Sequence, residues 1–220
     1  MSPDYQGAFA LPPGATAVML VRHGSSAQYD PDAPFPLVGG QSDPPLAPRG
    51  LEQARAIADG LGGEPLVAVF ITPLRRTAQT AAPLADQLGL EPIVVPELRE
   101  VHLGDWETGG GFGVSRPDRD AVRRRVLEEE EWGLIPGAET VDSLGQRVAH
   151  GLETVASQIG PDAVGAAIVH GGVITEACHQ ITASRPFAFF GPENASITRV
   201  VRDSAGRWTL RSFNETGHLR

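Results

Sequence analysis

Short, uninterrupted runs of apolar residues recur along the chain. Runs at residues 17–21, 67–71 and 166–169 have the length and character of strands that are buried on both faces of a parallel sheet. A weaker form of the pattern, with more polar positions, marks three further strand candidates at residues 93–95, 197–202 and 208–212. The pattern therefore predicts a central sheet whose middle strands are covered on both sides.

Between these runs, apolar residues recur every three or four positions, which is the spacing of one face of a helix. This spacing predicts helices over residues 51–61, 76–88, 141–159 and 172–181. Pro48 suits the first turn of the first helix, and Pro83 should kink the second. Strands that alternate with helices indicate the α/β class, and we predict a three-layer α/β/α sandwich around a mostly parallel sheet.

Residues 106–136 follow neither pattern. A glycine-rich stretch at 109–113 leads into a strongly charged stretch at 116–131 with a sparse apolar stripe. We predict that 106–136 is a lid or insertion that leaves the core and is open to solvent, and that 1–16 is an N-terminal extension. The chain of 220 residues is expected to form a single domain over 1–220, because domains are commonly of about this size.

Composition excludes several classes of function. The net charge of -9 argues against a nucleic-acid partner, because nucleic acids are held by positive surfaces. The basic residues are all arginine, which excludes Walker-type phosphate binding and Schiff-base chemistry through lysine. Cys178 is the only cysteine, no stretch has the length of a membrane span, and the first residues do not resemble a signal peptide. We therefore expect a cytoplasmic protein without a membrane partner. The oligomeric state is not indicated.

Two histidines follow predicted strands directly. His23 comes two residues after the strand at 17–21, and His170 comes immediately after the strand at 166–169. Ligands of open α/β sheets bind beyond the carboxyl ends of the strands. Gly24 follows the first histidine and Gly171 the second, so that the backbone can approach an anion closely. Each strand end is therefore a candidate phosphate site.

Several groups of residues occur in a characteristic order along the chain. They are Leu20-Val21-Arg22-His23-Gly24-Ser25-Ser26; Asp43-Pro44-Pro45-Leu46 with Gly50 and Gln53-Ala54; Thr72-Pro73-Leu74-Arg75-Arg76 with Gln79-Thr80-Ala81; Leu98-Arg99-Glu100 with Gly104 and Trp106-Glu107; and Val169-His170-Gly171-Gly172. Together they resemble the signatures of the histidine phosphatase superfamily, the phosphoglycerate-mutase-like proteins with an Arg-His-Gly motif. The resemblance covers most of the chain.

The resemblance implies a catalytic set with distinct roles. His23 is implied as the nucleophile and Glu100 as the general acid, and the phosphate-binding residues are Arg22, His23, Arg76, His170 and Gly171. A neutral imidazole can attack phosphorus, and the planar fork of arginine suits a phosphate. Glu100 would protonate the departing alkoxide and then, as a carboxylate, activate water. No cofactor and no metal is expected, since the arginines beside both histidines would repel a cation.

The substrate pocket is where the chain departs from part of the family. Mutases of the family commonly carry Glu after the motif glycine and Asn four residues later, whereas this chain has Ser25 and Tyr29. Tyr29 either contacts substrate or packs at the pocket rim. The pocket candidates are Ser26, Tyr29, Gln41, Ser42 and His102.

The function predicted from these residues is phosphomonoester hydrolysis. The enzyme is expected to be a metal-independent phosphatase that acts on a small phosphorylated metabolite through a phosphohistidine intermediate. One alternative is a phosphoglycerate mutase, which returns the phosphoryl group to a second hydroxyl. An alternative of another class is a regulatory module that binds a phosphorylated ligand without turnover.

Overall fold

The computed structural model describes residues 9–113 and 115–220. The strands are β1 (Thr16–Arg22), β2 (Leu37–Val38), β3 (Gln41–Ser42), β4 (Leu66–Ile71), β5 (Ile93–Val94), β6 (Ala163–Val169), β7 (Ile197–Arg202) and β8 (Trp208–Glu215). The α-helices are α1 (Pro48–Leu61), α2 (Arg75–Leu88), α3 (Pro117–Glu129), α4 (Val141–Ile159) and α5 (Gly171–Thr182). Short 3-10 helices span Pro96–Leu98, Gly104–Gly109, Trp132–Leu134 and Gly217–Leu219.

The main sheet has six strands in the order β5-β4-β6-β1-β7-β8. Strands β5, β4, β6 and β1 are parallel to one another, whereas β7 pairs antiparallel with both β1 and β8. Strands β2 and β3 form a separate two-stranded ribbon. Because β1, β4 and β6 are parallel neighbours, their carboxyl ends meet at one edge of the sheet.

Apolar side chains cover both faces of the sheet. Side chains alternate along a strand, so Met19 and Val21 of β1 pack with α1 and α2, while Leu20 packs with α4 and α5. Pro48 occupies the first turn of α1, and Thr140 caps α4 by accepting the amide N–H of Ser143 at 3.1 Å. The predicted three-layer α/β/α sandwich with a mostly parallel sheet is confirmed.

The predicted strands and helices occur, with small differences at their ends. Strand β5 ends at Val94 rather than at Val95, and β8 extends to Glu215. Helix α2 includes Pro83 within its bounds. The N-terminal extension was predicted to reach residue 16, but Thr16 already belongs to β1, and residues 1–8 lie outside the described residues. No helix in the described part of the chain is long and apolar enough to cross a membrane.

The expectation that residues 106–136 leave the core is wrong. Trp106, Val126, Trp132 and Ile135 are buried in the same apolar cluster as α4 and α5. The sequence pattern concealed this because the charges of α3 surround one fully buried apolar position, Val126, and the other anchors lie outside that helix. The segment is therefore attached to the core at both of its ends.

Candidate active site

The two histidines lie side by side at the carboxyl edge of the sheet. Strands β1 and β6 pair in register up to Arg22 and Val169, so the residue that follows each strand lies at the same level. The amide N–H of His23 donates to the carbonyl of Val169 at 3.0 Å. The ring centroids of His23 and His170 are 5.2 Å apart, with 62° between the ring planes. The predicted juxtaposition of the two strand ends is thus present.

The loop after His23 packs so closely against the start of α1 that Gly24 and Gly50 have no room for a side chain. A Cβ atom on Gly24 would lie 2.6 Å from the carbonyl oxygen of Gly50, and a Cβ on Gly50 would lie 2.1 Å from the carbonyl oxygen of Ser25. Thr80 accepts the Gly24 N–H at 3.0 Å, and Gln53 accepts the Ser25 N–H at 2.8 Å. These contacts fix the position of the backbone that directly follows His23.

The hydrogen bonds of His23 define its tautomer. Its Nδ1 lies 2.7 Å from the carbonyl oxygen of Gly24, which can only accept, so Nδ1 carries the proton and Nε2 keeps the lone pair. Burial, together with the positive charges of Arg76 and Arg22, lowers the pKa of His23 well below its ordinary value of 6.5. At neutral pH the ring is therefore uncharged, with Nε2 in the state required of a nucleophile.

His170 is fully buried and has one free ring nitrogen. Its Nε2 lies 2.9 Å from the hydroxyl oxygen of Thr72, whereas Nδ1 has no hydrogen-bond partner among the described residues. Burial and the nearby charge of Arg76 lower the pKa of His170 well below its ordinary value. An unpaired buried polar atom is unfavourable in isolation, and a bound anion would satisfy Nδ1 if that atom carries the ring proton.

Two arginines add positive charge beside the histidines. Arg76, at the start of α2, is buried and donates to the carbonyl of Ser42 at 3.0 Å. Arg22, at the end of β1, donates to the carbonyl of Pro192, while its buried Nε has no hydrogen-bond partner within residues 9–113 and 115–220. Burial lowers the pKa of both guanidinium groups, but arginine starts so high that both remain charged. Their remaining donors are the natural partners of a phosphate.

Glu100 directs its carboxylate at the N-terminus of α5. Its Oε1 accepts the N–H groups of Val101 and Gly172, both at 3.0 Å. A Cβ on Gly172 would lie 2.7 Å from that oxygen, so a side chain there would displace the carboxylate from this position. Among the described residues, Oε2 accepts no hydrogen bond, which makes it the oxygen that can exchange a proton with a ligand.

Two cavities are lined by both Arg22 and Glu100. The larger, about 510 Å³, is lined by Arg22, Arg76, Glu100 and four of the predicted pocket residues: Ser26, Tyr29, Gln41 and Ser42. The smaller, about 310 Å³, shares Arg22 and Glu100 and is also lined by Gly171. His102, the fifth predicted pocket residue, lines neither cavity; its Nδ1 accepts the N–H of Gly104 at 3.3 Å.

Sequence reasoning missed other residues of the cavity walls. Glu107 is buried and accepts the N–H groups of Ser42 and Leu103, both at 2.8 Å. Its place next to Trp106 in the fourth motif was a signal that it belongs to the site. Phe112 and Phe190 also line the smaller cavity, but nothing in their sequence surroundings indicated this.

A model of the histidine phosphatase superfamily, branch 1, matches residues 18–216. The chain belongs to this superfamily. The match confirms the resemblance inferred from the motifs, and the predicted enzyme class, a phosphatase, is supported by it.

The relatives and structural neighbours carry the names of phosphatases and of a probable phosphoglycerate mutase. The chain is 28% identical over 208 residues to a Yersinia enterocolitica protein named probable phosphoglycerate mutase GpmB, over 92% of this chain and 94% of that protein. The native structure of mycobacterial glucosyl-3-phosphoglycerate phosphatase is 29% identical with a TM-score of 0.74, over 92% of this chain and 100% of that chain. That phosphatase has also been solved with VO3.

A phosphoserine phosphatase of Entamoeba histolytica, solved in complex with phosphoserine, is 22% identical with a TM-score of 0.74, over 93% of this chain and 100% of that chain. At this identity the likeness concerns the fold alone. The phosphoserine complex shows that one structural neighbour binds a small phosphorylated ligand.

Proposed function

We propose that the protein is a metal-independent phosphomonoesterase that acts on a small phosphorylated metabolite through a phosphohistidine on His23. The observation that carries the proposal is the neutral ring of His23. Its Nδ1–H donates a hydrogen bond to the carbonyl of Gly24, which leaves the lone pair of Nε2 to attack phosphorus. The buried charges of Arg22 and Arg76 suit a phosphate and oppose a divalent cation at the same place. The known VO3 complex of the mycobacterial relative agrees with a phosphate-like ligand in this family.

In the first step, Nε2 of His23 forms a bond to phosphorus while the bond from phosphorus to the ester oxygen breaks. Arg22, Arg76 and Nδ1–H of His170 donate hydrogen bonds to the equatorial oxygens, whose charge is spread out in the transition state. Glu100 gives its proton, held on Oε2, to the departing oxygen, so the product leaves as a neutral alcohol. The enzyme is left with a phosphoryl group on His23 and a carboxylate at Glu100.

In the second step, the Glu100 carboxylate takes a proton from a water molecule, and the water oxygen attacks phosphorus. The bond between phosphorus and Nε2 breaks, inorganic phosphate leaves, and His23 returns to its neutral form. Glu100 is protonated again, so both groups are ready for the next turnover. One carboxyl group thus serves as acid and then as base.

The rival activity, phosphoglycerate mutase, is suggested by the name of the Yersinia relative. A mutase must hold the carboxylate of its substrate while the phosphoryl group changes position, and a cation normally does this. Within the described lining of the two cavities, the arginines are Arg22 and Arg76, and both bind the phosphate in the proposed mechanism. We therefore favour transfer to water over transfer to a second hydroxyl.

Phosphorus NMR with 3-phosphoglycerate and catalytic 2,3-bisphosphoglycerate separates the two activities. We expect inorganic phosphate to appear without an earlier phase of 2-phosphoglycerate, and the rate with a panel of phosphomonoesters to persist in excess chelator. Rapid formation of 2-phosphoglycerate ahead of inorganic phosphate would identify a mutase. Phosphate release that stopped in chelator would contradict metal independence.

The remaining parts of the proposal rest on the sequence. We propose that residues 1–220 act as one domain, because a chain of this length commonly forms one. We also propose a cytoplasmic location, since Cys178 is the only cysteine and no disulfide can form within the chain. The net charge of -9 disfavours a nucleic-acid partner.

A further inference from the structure

The smaller cavity has an aromatic wall made by three segments that are distant in sequence. The wall, defined here as Phe112, Trp132 and Phe190, has ring centroids 5.3 Å apart for Phe112 and Trp132 and 6.0 Å apart for the two other pairs. Val101 and Leu103 complete the apolar lining. Glu100, the proposed acid, lines both cavities, so a leaving group that it protonates can extend into the smaller cavity and lie against the aromatic wall.

The arginines of α3 are not among the described residues that line this cavity. Arg119 is buried, donates to the carbonyl of Gly109 at 3.0 Å, and lies over the ring of Trp106 at 5.2 Å. Arg123 donates to the carbonyl of Phe112 and lies over the rings of Trp106 and Phe112 at 5.7 and 5.5 Å. Both guanidinium groups stack on the aromatic residues of this segment and use donors on its backbone carbonyls.

The other arginines of this segment pair with acids next to them. Arg116 lies near Asp118 at 3.6 Å, and Arg125 lies near Glu129 at 2.8 Å. Neither arginine lines the cavity. The ionisable groups of the smaller cavity are, among its described lining residues, Arg22 and Glu100. With Arg22 bound to phosphate, a leaving group with a carboxylate would meet the aromatic wall and a carboxyl group, and no partner of opposite charge.

We infer that the enzyme selects phosphomonoesters whose leaving group is an uncharged aryl or alkyl alcohol, held against the aromatic wall. This inference rests on the proposed phosphatase activity and adds the substrate class. The cavity, about 310 Å³, is large enough for a small leaving group. The release of water and contacts with the rings favour the binding of a flat apolar group. A carboxylate would lose its hydration there without gaining a partner of opposite charge.

Three substrates with nearly equal leaving-group chemistry isolate the effect of charge: benzyl phosphate, 4-carbamoylbenzyl phosphate and 4-carboxybenzyl phosphate. We expect kcat/KM for the carboxy compound to be lower than for benzyl phosphate by about tenfold or more, because pocket discrimination of this size is typical. The carbamoyl compound has the same shape without the charge and should lie nearer to benzyl phosphate. A carboxy compound equal to or better than benzyl phosphate would overturn the inference.

Variants of Phe190 test whether the wall itself provides the selectivity. Phe190 is 41% exposed, so Phe190→Ala and Phe190→Leu should fold, and Leu127→Ala, at 43% exposure outside the cavity, is the matched control. We expect Phe190→Ala to lower kcat/KM for benzyl phosphate by about tenfold relative to methyl phosphate, with an intermediate effect for Phe190→Leu. Vanadate inhibition should be unchanged in all three, which verifies an intact phosphate site.

The outcomes for the inference and for the proposed function differ. Equal losses for benzyl and methyl phosphate in Phe190→Ala, or the same loss in Leu127→Ala, would refute the role of the wall while leaving the phosphatase intact. A preference for 3-phosphoglycerate over benzyl phosphate would also refute it. Absence of phosphate release from every ester, p-nitrophenyl phosphate included, would refute the proposed function together with the inference.

Discussion

Thr72 is the residue whose hydroxyl contacts Nε2 of His170 and thereby bears on the tautomer of that ring. Its hydroxyl oxygen lies 2.9 Å from Nε2 of His170 and 3.1 Å from the hydroxyl oxygen of Thr77. The Thr77 hydroxyl donates to the carbonyl of Leu74 at 2.8 Å, so the Thr72 proton has two acceptors to choose from. If it is donated to Nε2, the ring proton stays on Nδ1, the atom that must donate to phosphate. A bound phosphate therefore favours this arrangement.

We expect Thr72→Val to lower kcat/KM by about tenfold and to weaken vanadate binding by a similar factor, because a buried hydrogen bond of this kind is worth about 1 kcal/mol or more. Thr72→Ser keeps the hydroxyl and should retain most of the activity. Nitrogen NMR of the vanadate complex should show a proton on Nδ1 of His170 in the native protein. Equal kcat/KM in the valine and serine variants would show that the hydroxyl has no role in positioning the ring.

At the scale of elements, helix α4 holds the segment that carries Glu100. Arg147 of α4 donates to three backbone carbonyls of that segment, those of Glu97 at 2.8 Å, Arg99 at 2.6 Å and Glu100 at 2.8 Å. Its ion pair with Glu139 has an N–O distance of 2.5 Å, and Glu139 accepts the N–H of His102 at 2.7 Å. A partly buried guanidinium thus fixes the chain on both sides of the proposed acid.

We expect Arg147→Met to lower kcat much more for an alkyl phosphate than for p-nitrophenyl phosphate, because a displaced Glu100 donates its proton poorly and only a basic leaving group needs it. Glu100→Gln should show the same leaving-group dependence, with a loss of about a hundredfold or more on the alkyl ester. Arg125→Met, an exposed arginine of α3, is the control. A uniform loss on both esters in Arg147→Met would indicate a general loss of folding and not a role in positioning.

Local patterns in the sequence predicted the elements and the motif residues of the site. Buried strands such as β1 and β6 show as apolar runs. His23 and His170 follow these runs in the sequence, and each is followed by a glycine. Contacts between loops have no such pattern, which is why His102 was placed in the pocket and Phe190 was not. The anchoring of residues 106–136 was missed for the same reason, since Trp106 and Trp132 become core residues only when α4 and α5 lie beneath them.

At the scale of the whole molecule, the buried histidines make stability depend on pH. His23 and His170 are neutral in the folded protein because burial lowers the pKa of each well below 6.5. In the unfolded chain both take up protons as the pH falls through that value. The unfolded state therefore binds more protons, and the free energy of unfolding decreases from about pH 6.5 downward until the folded pKa values are reached.

Denaturant unfolding between pH 5 and pH 8 measures this effect. We expect the slope of unfolding free energy against pH to become positive below about pH 6.5, with each histidine adding up to about 1.4 kcal/mol per pH unit. His170→Asn should remove one such contribution, whereas Leu127→Ala, at an exposed position of α3 without a titratable group, should leave the slope unchanged. The same slope in His170→Asn as in the native protein would mean that His170 is protonated equally in both states.

The central claim is that phosphate passes through His23, and rapid quench with a labelled phosphomonoester tests it directly. The labelled protein should form within the first turnover, resist base, decay in acid, and carry its label on the peptide that contains His23. His150→Ala should behave like the native protein, and His23→Ala should neither take up label nor release phosphate at a comparable rate. Turnover of His23→Ala at the native rate, or native turnover without any labelled protein, would contradict the account.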